Sequence, residues 1–134
     1  MTTDTVIGAA VIVYRGNDED LEFLILHRAH SGPDFEGDWA WGPPSGHRQE
    51  QEDAIECAER ELFEETKLVL DLRETDLGPE RFKVYVARAS DKDIVVLSDE
   101  HDCYEWADLK TVLSRCKPER VASNFEQVAI EVRA

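Results

Sequence analysis

The apolar residues in the first part of the chain fall into two short runs. Val6–Tyr14 is almost continuously apolar and rich in β-branched residues, which predicts a central strand buried on both faces. The polar turn Gly16–Asp20 separates it from Glu22–Arg28, which predicts an antiparallel partner strand. His27 and Arg28 close this second strand. A basic pair at a strand end is more often plain surface, but it could also meet a phosphate.

The pattern then changes from strands to a loop and a helix. Residues Ala29–Asp38 are rich in Gly, Pro and Asp, and loops of this kind often shape substrate pockets. A Pro/Gly-rich turn, Gly42–Gly46, follows. Glu52–Thr66 contains neither Gly nor Pro and is rich in Glu, Ala and Leu, so we predict a helix there. Its expected apolar stripe comprises Ala54, Ile55, Ala58 and Leu62.

The second half of the chain mixes short apolar runs with helical patterns. We predict three further strands, at Leu68–Leu72, Phe82–Arg88 and Asp93–Leu97. Asp108 suits the N-cap of a helix over Leu109–Cys116, and Pro118 suits the first turn of a last helix. The apolar face of that last helix comprises Val121, Phe125, Val128, Ala129 and Val132. Strands on both sides of a helix, followed by C-terminal helices, predict an α/β layered domain.

Composition bounds the class of protein. A chain of 134 residues suits one domain, 1–134, and its apolar fraction of 42% argues against disorder. The formal net charge of −15 argues against a general nucleic-acid binder, because phosphate backbones need Lys/Arg surfaces. A small polyphosphate could still bind if metal ions bridge the two negative partners. Solubility is the simpler explanation for most of the excess charge.

The cysteines and the N-terminus bear on cellular location. Cys57, Cys103 and Cys116 are widely spaced and include no Cys-x-x-Cys pair, which is typical of reduced thiols in the cytosol. We expect all three to be buried as small apolar residues rather than to act in catalysis. Met1–Thr5 lacks the basic start of a signal peptide, and no apolar run approaches membrane-spanning length. The sequence therefore predicts a cytoplasmic protein without membrane association.

Three carboxylates within the first predicted helix carry the most specific chemistry. Glu61, Glu64 and Glu65 are spaced i, i+3 and i+4, so they share one helical face. Because like charges this close repel, we expect a divalent cation, and Mg²⁺ fits best if a phosphate supplies further oxygens. Arg60 follows Glu56 by four residues, the favourable order for an ion pair, and is placed to brace the carboxylates. The alternative is a solvated acidic face without a metal.

The full stretch Gly46–Leu68 resembles the Nudix box, Gly-x5-Glu-x7-Arg-Glu-U-x-Glu-Glu-x-Gly-U, in which U is a bulky aliphatic residue. The matching positions are Gly46, Glu52, Arg60, Glu61, Leu62, Glu64, Glu65 and Leu68. Lys67 stands where the family has Gly, just past the helix end, where a left-handed residue commonly stops a helix. We therefore predict a left-handed Lys67. A second stretch, Ser98–Trp106, resembles the Glu-His-x-x-Tyr-x-Trp segment of some Nudix enzymes, including dinucleoside tetraphosphate hydrolases.

The resemblance implies the Nudix fold, a mixed β-sheet between α-helices, and a pyrophosphohydrolase that uses Mg²⁺, with Mn²⁺ as a further possibility. The metal ligands that it implies are the Gly46 carbonyl, Glu61, Glu64 and Glu65. The catalytic residues that it implies within the box are Glu64, Glu61 and Arg60, with Glu52 in support. The general base of this family is often a Glu outside the box, so Glu100 is our candidate. Glu105 is its rival, and a box Glu is a third alternative.

The resemblance also implies a substrate in which a nucleoside diphosphate is linked to another moiety. We favour a nucleoside triphosphate or a dinucleoside polyphosphate. A sugar nucleotide, a non-catalytic nucleotide-binding regulatory module and a homodimer stay open. Pro44–His47 resembles the Pro-Lys-Gly-His of tetraphosphate hydrolases, but Ser45 replaces the Lys. The expected substrate-binding residues are Arg28, Trp39, Trp41, His47 and Tyr85, with one of the two Trp side chains in the core and the other at the rim of the cleft.

Overall fold

The computed structural model describes residues 6–133 as a seven-stranded sheet with helices on both faces. The strands are β1 (Gly8–Arg15), β2 (Glu22–Arg28), β3 (Trp41–Gly42), β4 (Ser45–His47), β5 (Arg73–Glu74), β6 (Phe82–Arg88) and β7 (His101–Ala107). The α-helices are α1 (Ala54–Thr66), α2 (Leu109–Arg115) and α3 (Glu119–Arg133), and a short 3₁₀ turn spans Asp18–Asp20. Residues 1–5 and 134 of the predicted domain lie outside the described residues.

Strand β1 is the centre of the sheet, as predicted. The main strand order is β3-β2-β1-β6-β5, while β4 also pairs with β1 and β7 with β2. The pairing of β1 with β6 is parallel, and its other pairings are antiparallel, so the sheet is mixed. Strand β4 pairs with the start of β1 and β2 pairs with its end. The two strands therefore diverge along one edge of β1, and the cavity described below lies between them.

Side chains alternate between the two faces of β1 and supply two cores. Val11 packs with Leu62 of α1 on one face. Ile12 packs with Phe125 of α3 on the other face, together with residues of α2. The near-continuous apolar run that predicted a strand buried on both faces is explained by this sandwich.

Helix α1 begins two residues later than predicted. Asp53 is its N-cap and forms a capping box with Glu56, in which each side chain accepts a hydrogen bond from the other residue's backbone N–H, at 2.9 and 3.0 Å. Glu56 is therefore engaged at the cap, and the predicted ion pair between Glu56 and Arg60 is wrong. Ile55 is 40% exposed, so the predicted stripe is wrong at that position, and Cys57 lies in the core instead.

Two predicted strands are wrong. Leu68–Leu72 and Asp93–Leu97 are irregular in the structure. Each segment buries one apolar side chain in the core on the α1 face, Leu68 and Val95, while Leu70, Leu72 and Leu97 are partly buried against it. Val69, by contrast, is 83% exposed. The N–H of Val96 donates to the Thr66 carbonyl at 2.9 Å, so this segment bonds to a helix end rather than to a strand. An apolar run of this length can therefore be either a strand or an irregular segment whose side chains are anchored in the core.

The C-terminal helices agree with the pattern. Asp108 caps α2 by accepting a hydrogen bond from the Thr111 N–H at 2.9 Å. The face of α3 that was predicted to be apolar packs on the sheet, with Phe125, Val128 and Ala129 fully buried. Among residues 6–133, none of the helices is long and apolar enough to cross a membrane. The cysteine prediction holds for Cys57 and Cys116 and is wrong for Cys103, which is exposed.

Lys67 ends α1 in the left-handed conformation, with φ 64° and ψ 12°, as predicted. Its N–H donates to the Phe63 carbonyl at 2.9 Å, which satisfies a carbonyl of the last turn. The Lys67 ammonium lies 5.0 Å from the centre of the Phe63 ring. The chain thus stops its helix at the family position without the family glycine.

Replacing Lys67 with Gly should stabilise the fold, because Gly adopts this conformation without steric cost. We expect a gain of up to about 1 kcal/mol in the free energy of unfolding, measured by urea denaturation. Loss of the exposed cation–π contact opposes this gain by about 0.5 kcal/mol. Lys67→Ala is the control, since it loses the ammonium but keeps the Cβ. A Lys67→Gly variant no more stable than Lys67→Ala would contradict the expectation.

Candidate active site

The box carboxylates differ sharply in exposure. Glu65 is 2% exposed and Glu61 8% exposed, whereas the side chain of Glu64 is 52% exposed. Glu65 accepts a hydrogen bond from the Ser45 N–H at 3.2 Å, and its carboxyl group is hydrogen-bonded to that of Glu61. The helical face predicted to carry three carboxylates therefore has a buried pair beside one exposed carboxylate.

Burial makes this pair hard to ionise. The pKa of Glu65 is raised to about 9, first by burial and then by the Glu61 and Glu100 carboxylates, against the opposing hydrogen bond from Ser45. The pKa of Glu61 is also raised by burial, although the hydrogen bond from Glu65 and the charge of Arg60 lower it. Two neighbouring buried carboxyl groups with raised pKa values can share one proton. A divalent cation with hard oxygen ligands fits this donor set and would replace that proton.

Gly46 lets the pair sit against strand β4. A Cβ built on Gly46 would lie 1.9 Å from Oε2 of Glu61, so a side chain there would displace the carboxylate. The Gly46 carbonyl, the predicted metal ligand, lies 3.6 Å from the Cys57 sulfur. Glycine is thus required at this position by the close approach of Glu61.

Arg60 braces the carboxylates, as predicted, but its main partner is Glu52. Its Nε and one terminal nitrogen donate to the two oxygens of Glu52 at 2.6 and 3.0 Å. The other terminal nitrogen lies 3.3 Å from Glu61 and 3.1 Å from Glu64. Arg60 also donates to the His47 carbonyl at 2.9 Å, which ties α1 to β4. This two-pronged pairing fixes the guanidinium more firmly than a single exposed contact would.

A cavity of about 1080 Å³ opens beside Glu65. This volume suits a nucleotide-sized ligand. The apolar wall includes Ile12, Trp39, Trp41, Phe82 and Val84, the cationic lining includes Arg28 and Arg120, and the acidic lining comprises Glu65, Asp99 and Glu100. Carboxylates that could hold a metal ion and guanidinium groups that could meet a phosphate therefore face one space with an aromatic side.

Three of the five predicted substrate-binding residues line this cavity: Arg28, Trp39 and Trp41. Trp41 is 6% exposed in the core and Trp39 is 42% exposed, so the predicted division between the two tryptophans holds. Arg28 is exposed, but its neighbour His27 is fully buried, which corrects the prediction of a surface basic pair. The buried His27 is held by hydrogen bonds rather than free to meet a phosphate.

The other two predicted substrate-binding residues are not brought to the cavity. His47 is exposed with its ring against Phe82, at 6.4 Å between ring centres. Tyr85 is 3% exposed and packs in the core beneath α1, because its position in β6 points to that face of the sheet. Neither is among the described residues that line the cavity. The alternation along β6 carries Val84 to the cavity instead.

The structure separates the two candidate bases. Glu100 lines the cavity, and ligand atoms of Glu65, Glu100 and His101 all lie within 4.8 Å of one another, a group that could hold a metal ion. Glu105 is on β7, forms an ion pair with Arg115 and is absent from the described lining of the cavity. The geometry favours Glu100.

Sequence reasoning missed three residues near the site. His101 lies beside Glu100, and burial together with the charge of Arg28 lowers its pKa to about 4, which keeps it neutral. Its Nδ1 is buried without a hydrogen-bond partner among the described residues. Arg120 and Asn124 reach the cavity from α3. Arg120 and Asn124 each immediately precede a residue of the predicted apolar face of α3. This position at the edge of the apolar face was the sequence signal that could have identified them.

Comparison with known proteins agrees with the fold and the box. The NUDIX domain family model matches residues 4–128. A bis(5'-nucleosyl)-tetraphosphatase (asymmetrical) of Caenorhabditis elegans is 29% identical over 118 residues, which cover 79% of this chain and 81% of the relative. The enzyme of the same name from Mus musculus is 29% identical over 112 residues, covering 74% of this chain and 72% of the relative.

Solved structures show the same architecture. A C. elegans Ap4A hydrolase in a binary complex superposes with a TM-score of 0.71 at 23% identity, covering 94% of this chain and 99% of that one. The E. coli dihydroneopterin triphosphate pyrophosphohydrolase superposes with a TM-score of 0.74 at 20% identity, covering 92% and 94%. The predicted Nudix fold is thereby confirmed. The chain belongs to the NUDIX domain family and is, as its sequence predicts, a Nudix-type pyrophosphohydrolase.

Proposed function

We propose that the protein cleaves a phosphoanhydride bond of a nucleoside triphosphate or a dinucleoside polyphosphate, with Mg²⁺ as the metal. The observation that carries this proposal is the buried pair Glu61 and Glu65, of which Glu65 lines a cavity that also has cationic and aromatic walls. The relatives named bis(5'-nucleosyl)-tetraphosphatase support a dinucleoside tetraphosphate in particular.

Each residue has a role that follows from its place. Glu61 and Glu65 hold the cation. Glu52 holds the Arg60 guanidinium, which donates directly to Glu61. A bound Mg²⁺ would supply Lewis acidity and an activated water. Glu100 accepts the proton of the attacking water, since this acid lies outside the box, lines the cavity and is within 4.8 Å of Glu65.

The rest of the cavity binds the substrate. Arg28 and Arg120 offer guanidinium groups to phosphate oxygens, a pairing that their planar donors suit well. Trp39 presents a half-exposed ring on which a nucleobase can stack. The cytoplasmic location, the independence from nucleic acid and from membranes, and the homodimer stay predictions from the sequence.

The first test is a hydrolysis panel with product identification. With Mg²⁺ present, the protein should release phosphate or pyrophosphate from at least one nucleoside triphosphate or dinucleoside polyphosphate. EDTA should abolish this activity and excess Mg²⁺ should restore it. Cleavage of sugar nucleotides alone would instead assign the protein to the sugar-nucleotide pyrophosphatases. If nucleotides raise the melting temperature but are not turned over with either Mg²⁺ or Mn²⁺, the proposal is wrong and the protein is a nucleotide-binding module.

Glu65→Gln should lower activity and raise stability at the same time. Loss of a ligand oxygen should cut turnover by about 100-fold or more, since 1.4 kcal/mol of transition-state stabilisation is a factor of ten. The raised pKa means that the folded state holds more protons, so metal-free stability falls as pH rises from about 4.5 towards 9. The neutral amide removes this loss, worth up to about 3 kcal/mol at pH 7.

Unfolding of the metal-free proteins at pH 5 and pH 8 measures the stability part. Glu59→Gln is the control, because Glu59 is an exposed carboxylate on the same helix. It should change neither turnover nor the pH dependence. A Glu65→Gln protein that is less stable than wild type at pH 8 without metal would show that ionisation of the buried carboxyl group does not destabilise the folded state.

Glu100→Gln and Glu105→Gln separate the two candidate bases. Glu100→Gln should lower kcat by about 10²–10⁴-fold, the usual contribution of a general base. Mg²⁺ affinity measured by calorimetry should change little, because the proposal assigns the cation to Glu61 and Glu65 and not to Glu100. Glu105→Gln should retain wild-type turnover, since its partner is Arg115. The assignment is wrong if Glu100→Gln is fully active or if Glu105→Gln shows the larger loss.

A further inference from the structure

Both ring nitrogens of the buried His27 face hydrogen-bond acceptors. The side chain is 1% exposed, Nε2 lies 2.6 Å from the Phe35 carbonyl oxygen, and Nδ1 lies 2.8 Å from Oδ1 of Asp102. A carbonyl oxygen only accepts, and so does an ionised carboxylate. Both nitrogens must therefore donate at the same time. That requirement is met only by the imidazolium form.

The nearest charges favour this form. The carboxylate of Glu36 lies 3.9 Å from Nε2, on the opposite side of the ring from Asp102. Burial lowers the pKa of His27. The hydrogen bonds to Phe35 and Asp102 and the charges of Asp102 and Glu36 outweigh burial, so the net shift is upward. The hydrogen bond and charge of His27 in turn hold the pKa of Asp102 below its usual value, against its partial burial.

The other groups around the ring do not reverse this balance. Cys103 of β7 is the register partner of His27, and the pKa of its thiol is raised, first by burial and then by Asp102, so it stays neutral. His101 is neutral as well. Trp41 packs edge-on against His27 at 4.9 Å between ring centres, and the Arg115 guanidinium of α2 lies over Trp41 at 5.1 Å. Arg28, the next residue of β2, faces the cavity.

The imidazolium connects two elements that border the cavity. Phe35 is at the tip of the loop 29–40, and Asp102 is on β7, two residues after Glu100. The Phe35 side chain is itself 39% exposed, so apolar burial does little to anchor the tip. The Trp41 Nε1–H also donates to Glu36 at 3.0 Å, and at the end of the loop the Trp39 N–H donates to the Lys117 carbonyl at 2.6 Å. Residues His30 and Trp39, at the two ends of this loop, line the cavity.

We propose that His27 is a positioning residue whose imidazolium pins the loop 29–40 to β7 and thereby fixes the wall of the cavity that carries Trp39. A neutral imidazole has one N–H, so loss of the proton leaves either Phe35 or Asp102 facing a lone pair. The contact stabilises the folded loop fully below the ordinary histidine pKa, about 6.5. It is lost as pH rises through the elevated pKa of the folded state.

NMR of the histidine ring nitrogens in the full chain tests the protonation directly. In the wild type, both nitrogens of His27 should carry protons at pH 7. Asp102→Asn keeps the shape but offers an amide that can donate to a neutral Nδ1, so it should lower the pKa of His27 by about one to three pH units. Asp91→Asn removes the same charge from an exposed turn after β6 and should leave the titration unchanged.

Hydrogen exchange tests the consequence for the loop. Amide protection within 32–36 should fall in the wild type as pH rises through the titration of His27, and the fall should move to lower pH in Asp102→Asn. The kinetic consequence rests on the proposed function: the KM for diadenosine tetraphosphate should rise over the same pH range with a smaller change in kcat, because the loop carries binding groups.

The two proposals fail in distinguishable ways. A neutral His27 at pH 7, or loop protection that ignores its titration, overturns the role of His27 whatever the protein hydrolyses. The expected titration and loop response in a protein without turnover would contradict the proposed function alone. The wild-type measurements decide the matter even if Asp102→Asn fails to fold.

Discussion

The burial of two adjacent carboxylates is the constraint on which the site depends. Glu61 and Glu65 are nearly removed from water, and burial raises the pKa of both. Glu61 raises the pKa of Glu65 further, whereas the hydrogen bond from Glu65 lowers that of Glu61. An uncompensated pair of this kind is costly, and a shared proton or a cation is needed to offset the cost. A bound cation would relieve the repulsion and would also supply the electrophilic centre that phosphoanhydride cleavage requires.

The elements around the pair have the geometry that this constraint demands. The capping box fixes where α1 begins and the left-handed Lys67 fixes where it ends. The position of the carboxylates along the sheet is therefore fixed as well. Gly46 leaves room for Glu61, and Arg60 holds α1 to β4 through Glu52 and the His47 carbonyl. The cost of burying charge is therefore met locally, within a loop–helix–loop unit that lies on one face of a preformed sheet.

Much of the fold could be predicted because its signals are local. The bounds of β2 and β6, the cap at Asp108 and the left-handed Lys67 follow from alternation and from helix-end chemistry. The irregular runs at 68–72 and 93–97 could not, since apolar residues that anchor a loop and those that form a strand look alike without their partners.

The site was predicted less completely than the fold, because it is assembled from distant segments. The box and Glu100 were recognisable as motifs. The face on which Tyr85 lies depends on the β1–β6 register, the burial of His27 depends on Asp102 and Phe35, and Arg120 reaches the cavity only through the packing of α3. These are long-range facts that no short pattern contains.

The central claim is that a divalent cation replaces a proton shared by Glu61 and Glu65. Calorimetric titration of metal-free protein with Mg²⁺ at pH 7, repeated in buffers of different ionisation enthalpy, measures both binding and proton release. The account predicts saturable binding that releases about one proton, with thermal stability rising as Mg²⁺ exceeds its dissociation constant. Binding without proton release, or a melting temperature indifferent to Mg²⁺, would contradict it.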